Sequence, residues 1–151
     1  MVFALRLATI ADLPLVLPRT RALNDHEGIE ISDSSLETAL RTLLASPEVG
    51  AVWLVNRGSE SIGYAIVSFG YDLEFGGRDA FLTELWIDED HRGSGAGREA
   101  LTLLDPELRE RGINALHLQV RPENPAMRLY EREGFVVSPR RIMTRRIPTA
   151  H

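Results

Sequence analysis

The chain has no cysteine, which removes disulfide frameworks, thiolate metal sites and any cysteine-linked acyl intermediate. Its four histidines, His26, His91, His117 and His151, are scattered without metal-ligand spacing, so no metal is expected. No apolar run approaches the roughly 18 residues of a membrane span. The opening Met1-Val2-Phe3-Ala4-Leu5-Arg6 lacks a charged leader followed by an apolar stretch, so a cytoplasmic protein with no membrane attachment is expected. A formal net charge of -5 argues against nonspecific nucleic-acid binding and favours cationic substrates. What the chain does have, 151 residues with 44% hydrophobic and 26% charged, suits one soluble domain over residues 1–151.

The most specific feature is a stretch almost without side chains. Arg92-Gly93-Ser94-Gly95-Ala96-Gly97 follows an apolar run ending in Leu85-Trp86-Ile87 and precedes a helical pattern. A glycine-rich turn that opens a helix presents unpaired N–H groups and the positive end of a helix dipole, which together cradle phosphate. Arg92 adds a charged fork at its rim, and Arg98 a second cation. This is not a Walker A loop, because Gly97 is followed by Arg98 and Glu99 where Lys and Ser or Thr are needed. Nor is it a dinucleotide fingerprint, since Arg98 occupies the place of the third glycine.

Farther on, Leu116, Leu118 and Val120 alternate as in a strand, and Asn124-Pro125-Ala126-Met127-Arg128-Leu129-Tyr130-Glu131-Arg132-Glu133-Gly134-Phe135 follows. The pair of segments, Arg-Gly-x-Gly-x-Gly and then Asn-x-x-Ala-x-x-Leu-Tyr-x-x-x-Gly-Phe, resembles the GNAT superfamily of acyl-coenzyme A-dependent N-acyltransferases. The resemblance extends more loosely from Phe3 to about Ile147. It implies an α/β (α+β) fold with a mixed central sheet of six to seven strands, about four flanking helices and two strands splayed apart at the coenzyme A site.

The same resemblance assigns roles. Backbone of Leu85, Trp86 and Ile87 would hold the pantetheine arm as a surrogate strand, and a backbone N–H near Trp86 would stabilise the oxyanion. N–H groups of Gly93, Ser94, Gly95, Ala96, Gly97 and Arg98 would take the pyrophosphate, with Arg92 at the rim. Glu84 is the base expected to accept the amine's proton, and its alternative is a half-buried strand glutamate paired with an arginine. Tyr130 is the expected acid for the departing thiolate as well as a cofactor contact, and its alternative is a core aromatic. Asn124 caps the next helix, contacts coenzyme A, or does both, while Ala126 leaves room beside the cofactor. The acid-rich Asp25-His26-Glu27, with Glu30 and Asp33 nearby, falls where relatives build part of the acceptor pocket; its alternative is a solvated loop. His26, His91 and His117 read as surface or strand side chains, and Arg140, Arg141, Arg145 and Arg146 as a charged edge.

Local patterns predict the elements. Phe3, Leu5 and Leu7 begin a strand, and Thr9-x-x-Asp12 opens a helix that Pro14 and Pro18 should shorten or kink. Ser34-x-x-Glu37 opens a second helix with Leu36, Leu40, Leu43 and Leu44 on one face, ending near Pro47. Residues 51–56 and 61–70 form a hairpin, and a strand from Ala80 to Ile87 follows the turn at Gly76-Gly77. Pro106 should kink or break the helix after the cradle, with Asp105 capping a second piece. Short strands around Phe135 to Val137 and Arg141 to Ile147 should close the chain.

The expected activity is acetyl transfer from acetyl-CoA to a primary amine by direct attack in a ternary complex, with a small cationic amine favoured over a protein amine. A noncatalytic acyl-CoA-binding or regulatory module is the alternative, and a phosphotransferase is disfavoured by the missing lysine. The resemblance also implies a homodimer as one option, since members of the family often pair, and sheet edges need cover.

Overall fold

The computed structural model describes residues 2–149. Its sheet has the order β1 (Phe3–Leu7), β2 (Gly50–Arg57), β3 (Glu60–Asp72), β4 (Gly77–Ile87), β5 (Ala115–Leu118). The first three pairings are antiparallel and β4–β5 is parallel. Side chains alternate between two packed faces. Val52, Leu54, Tyr64 and Ile66 meet α1 (Leu13–Glu27) and α2 (Asp33–Ala45) on one side. Trp53, Ala65, Val67 and Leu82 meet α3 (Ala96–Glu110) on the other. Because both faces are covered, β2 reads as an unbroken apolar run instead of an alternating one. The short α4 (Met127–Arg132) carries Tyr130.

Helix boundaries depart from the local signals in three places. Pro18 lies inside α1 without ending it. The start of α2 is capped by Ser32, whose hydroxyl accepts the Ser35 N–H at 3.1 Å, and not by Ser34. Pro106 neither breaks α3 nor leaves a second piece for Asp105 to cap. A proline inside a helix costs about 3 kcal/mol, and burying each of Leu104 and Leu108 on the opposite face gives back roughly 1.5–3 kcal/mol. Pro106 is exposed, so the carbonyl it leaves unpaired faces water.

The chain's start behaves as its pattern suggests. Asp12 accepts the Thr9 N–H at 2.9 Å and a two-pronged contact from Arg6 at 2.9 and 3.0 Å. The Arg6 guanidinium holds the Asp12 carboxyl below its ordinary range.

The described residues contain five strands, fewer than the six to seven expected. Every residue from 136 to 149 is exposed and none is in a strand, including the segments around Phe135 to Val137 and Arg141 to Ile147. Alternation marks which face a strand would bury, but it does not supply the neighbouring strand a sheet needs.

Candidate functional site

β4 and β5 pair only from Asp79↔Ala115 to Leu82↔Leu118, after which β4 runs on to Ile87 paired with β3 but not with β5. The divergence starts at a β-bulge, since Ile66 faces Glu84 and Val67 faces Leu82, leaving Thr83 without an opposite residue. The bulge also reverses which side chain faces which helix layer. Leu82 packs under α3, whereas Glu84 and Trp86 point to the α1 side with Tyr64.

Backbone direction follows from one bond, the Asp88 N–H to the Ile62 carbonyl at 2.8 Å. Antiparallel alternation then turns the main chain of Trp86 and Glu84 toward β3 and that of Leu85 and Ile87 into the gap. Of the three residues expected to hold an extended arm, Leu85 and Ile87 therefore turn their main chain into the gap, and Trp86 turns its own toward β3. Arg92 closes the end of the gap. Its Nε donates to the Ile87 carbonyl at 2.8 Å and its guanidinium lies 4.6 Å from the Trp86 ring centroid.

Beyond Arg92 the cradle is present. Among the described residues, the N–H groups of Gly93, Ser94, Gly95, Ala96, Gly97 and Arg98 have no hydrogen-bond partner, and the first bond of the helix is Glu99 N–H to the Gly95 carbonyl. Gly93 and Gly95 have φ of 75° and 89°, a region that favours glycine, and a Cβ on either meets nothing within 4 Å, so the space over these donors is open. Gly97 instead packs against Leu129, tying the cradle to α4. The Ser94 hydroxyl bonds the His91 carbonyl, and Arg98 Nε pairs with Glu133 at 3.0 Å while the side chain stays largely exposed.

The gap opens into a cavity of about 920 Å³ between β4, β5, α1 and α4. Glu84, Trp86, His26, Glu27, Asn124, Ala126 and Tyr130 reach it. Asp25 does not; it lies one step around α1 from Asn24 and is exposed. Asn124 lines the cavity and accepts the Ala126 N–H at 2.9 Å through its side chain, just ahead of α4, whose N-cap is Ala126 and not Asn124.

Glu84 is half-buried and accepts a 2.6 Å hydrogen bond from the buried Tyr64 hydroxyl. Burial raises its pKa above the ordinary carboxylate range, against the opposing hydrogen bond from Tyr64. No arginine pairs with it among the described residues. Tyr130 lies edge-on to Phe135 at 5.8 Å, and both burial and the charge of Glu27 raise its phenol pKa. Burial pushes Asp88 up, but the Arg19 fork at 2.7 and 2.9 Å and the Trp86 indole N–H outweigh it and hold the carboxyl low. Arg19 also bonds the Ser61 carbonyl at 2.8 Å, so α1 is clamped to the end of β4 and the cavity wall is held in place.

Tyr64 and Asn24 join the site without any local sequence signal, because only strand register and helix docking bring them there. Two further described histidines stand apart: His91 contacts Glu60 at 3.3 Å and His117 contacts Asp79 at 3.0 Å.

The profile of the Acetyltransferase (GNAT) family matches residues 19–135, more than half of the chain. The ribosomal protein bS18-alanine N-acetyltransferase of Escherichia coli (strain K12) is 41% identical over 58 residues, 38% of this chain. That stretch spans 39% of the relative's length. The integron cassette protein HFX_CASS3, from the mobile metagenome of Cole Harbour Salt Marsh, superposes with a TM-score of 0.84 at 26% identity, covering 96% of this chain and 91% of that one. A predicted acetyltransferase from Clostridium acetobutylicum, solved with acetyl-CoA, gives 0.77 at 24% identity over 95% and 96% of the two chains. Since the family profile runs across cradle, gap and α4 together, and the fold is shared end to end with both structures, the chain belongs to the Acetyltransferase (GNAT) family.

Proposed function

We propose that the protein transfers an acetyl group from acetyl-CoA to a primary amine held on the α1 side of the cavity. The observation that carries this is the continuity of six free N–H groups, Gly93 to Arg98, with a gap into which Leu85 and Ile87 turn their main chain. A diphosphate suits the first and an extended pantetheine arm the second. The acceptor side has carboxylates at Glu27 and Glu84, which favour a cationic amine.

In the proposed reaction the amine lone pair attacks the thioester carbonyl, forming C–N as C–S breaks. Glu84, directly or through one water, takes the proton the nitrogen sheds. The Leu85 N–H steadies the oxyanion. Tyr130, protonated at neutral pH, donates to the departing sulfur, leaving an N-acetyl amide and coenzyme A thiol. The reaction would take place in the cytoplasm, and among the described residues no helix is long and apolar enough to cross a membrane.

Calorimetry with acetyl-CoA is expected to show one site per chain, and thiol release should require an added amine. The 17 basic residues are all arginine, so lysine self-acetylation contributes no signal. Absence of binding would remove the reading. Binding without thiol release over a broad amine panel would favour the noncatalytic acyl-CoA module.

A homodimer is proposed as well. Residues 136–149 carry four arginines and no acid on a chain of net charge -5, and expose Val136, Val137, Ile142, Met143 and Ile147. The outer edge of β5 has no partner among the described residues. Addition of each copy's 141–147 to the other's β5 would cover both. Light scattering is expected to give twice 16.9 kDa for the full chain and a monomer after deletion of residues 136–151. A monomeric full chain would refute the arrangement.

A further inference from the structure

We propose that Tyr64 positions the proton acceptor, its hydroxyl holding one carboxylate oxygen of Glu84 so that the other is presented to the attacking amine. The proposal rests on the reading of Glu84 as the base and adds a residue that acts only through it.

Tyr64 lies on β3, fully buried in the cluster that holds Val16, Leu54 and Ile66. Packing alone would be served by phenylalanine, since a buried hydroxyl is costly unless it is hydrogen-bonded. Among the described residues its hydrogen-bond partner is Glu84 Oε1, at 2.6 Å. Strand register makes the contact possible: Tyr64 stands opposite Trp86 and Ile66 opposite Glu84, so phenol and carboxylate are diagonal neighbours once the bulge at Thr83 has turned Glu84 to the α1 face. Stability explains such a pair poorly, because two apolar side chains of similar size would avoid both desolvation costs.

The two carboxylate oxygens are thereby made unequal. Oε1 is taken by Tyr64, whereas Oε2 has no hydrogen-bond partner among the described residues and is not sealed from solvent, and Glu84 lines the cavity. Tyr64 does not itself take the proton. Burial, and after it the charge of Glu84, hold its phenol far above the ordinary tyrosine range, against a smaller opposing effect of Arg19, which is paired with Asp88. The hydroxyl therefore stays a donor, and a donated hydrogen bond favours the ionised carboxylate against the burial that raises Glu84. The other titratable groups around the cavity are His26 and Glu27 from α1, Arg92 at the end of the gap, Arg121 beyond β5 and Tyr130 from α4. None of them makes a hydrogen bond or ion pair with Glu84 among the described residues, so aim and ionisation of the base both run through one hydroxyl.

The test is turnover across pH, with both substrates saturating, for the wild type, Tyr64→Phe, Glu84→Gln and the double variant. Taken relative to Glu84→Gln, Tyr64→Phe should climb to its plateau at a midpoint about one to two pH units above that of the wild type, the order expected when a carboxylate loses one hydrogen bond. Its plateau should also be lower, because the carboxylate is no longer aimed, while acetyl-CoA affinity stays unchanged. In the Glu84→Gln background Tyr64→Phe should change turnover by less than about twofold, since the base it acts through is gone. A second readout uses the unaltered protein: the Tyr64 hydroxyl proton is expected as a downfield magnetic resonance that moves with pH at the wild-type midpoint of turnover and lies upfield in Glu84→Gln. A purely structural role for Tyr64 would lower the Tm of Tyr64→Phe and leave its midpoint in place. An unmoved midpoint, or a hydroxyl resonance indifferent to pH, would overturn the proposal while leaving Glu84 as the base. A wild-type to Glu84→Gln ratio that is flat with pH would overturn both.

Discussion

Glu84→Gln is expected to lower turnover by about 10²- to 10³-fold at neutral pH, the range associated with loss of a positioned base. Glutamine keeps the shape and an oxygen that can still accept the Tyr64 hydroxyl, so the cavity should survive while the proton acceptor is lost. The ratio of wild-type to variant turnover, measured across pH with both substrates saturating, cancels the amine's own titration. That ratio should climb from near unity at low pH to a plateau, with a midpoint above the ordinary carboxylate value of about 4.3, because burial raises the Glu84 pKa. A ratio that does not change with pH removes Glu84 as the base.

The same shift makes a stability prediction of definite sign. Folded Glu84 holds its proton to higher pH than the unfolded chain does, so its contribution favours folding below the unfolded carboxylate range and is lost as pH rises through the folded value. At pH 7 Glu84→Gln should therefore melt at a higher temperature than the wild type, and the difference should vanish below about pH 4. A variant that is both slower and more stable is the mark of a strained site residue. Equal or lower Tm at pH 7 would show that the carboxylate is not held at a cost.

Tyr130→Phe should reduce turnover by about 10- to 100-fold with acetyl-CoA affinity unchanged. The effect belongs at the low end for a general acid. Burial and Glu27 both raise the phenol pKa, while a thiol titrates near 8.5, so full proton transfer to sulfur is uphill and much of the benefit is a hydrogen bond to the developing thiolate. The raised pKa also keeps Tyr130 a donor at alkaline pH, and wild-type turnover should not decline until above about pH 10. Phenylalanine retains the edge-on contact with Phe135 and the packing of α4, so folding should be preserved. Unchanged turnover would leave Tyr130 as a core aromatic.

The parts of the site that were readable from local pattern are those made by neighbouring backbone. A turn with Gly93 and Gly95 at positive φ feeding a helix has to leave donors unpaired, whatever surrounds it. Tyr130 was singled out through the family resemblance, and the structure adds a local reason for the motif: Gly134 ends α4 and brings the Phe135 N–H to the Tyr130 carbonyl at 3.0 Å. Glu27 reaches the cavity and Asp25 does not, a distinction an acid-rich stretch leaves open because it does not say which helix face meets a cavity. Pro106 was misjudged because a local penalty was weighed without the two leucines it lets the helix keep buried.

Glu84 shows the division most clearly. Strict alternation along β4 would put it with Leu82 beneath α3, yet one unopposed residue, Thr83, carries it to the α1 face and to Tyr64. By itself, the sequence determined the mixed helix-and-strand class and a glycine turn with unpaired donors at a helix start, because these depend on contacts a few residues apart. Only the tertiary structure decided that β4 parts from β5 at Leu82, that Leu85 and not Trp86 turns its main chain into the gap, and that Asn24 lines the cavity. Register, bulges and helix docking join residues far apart in the chain, and hydrophobic pattern alone leaves those choices open.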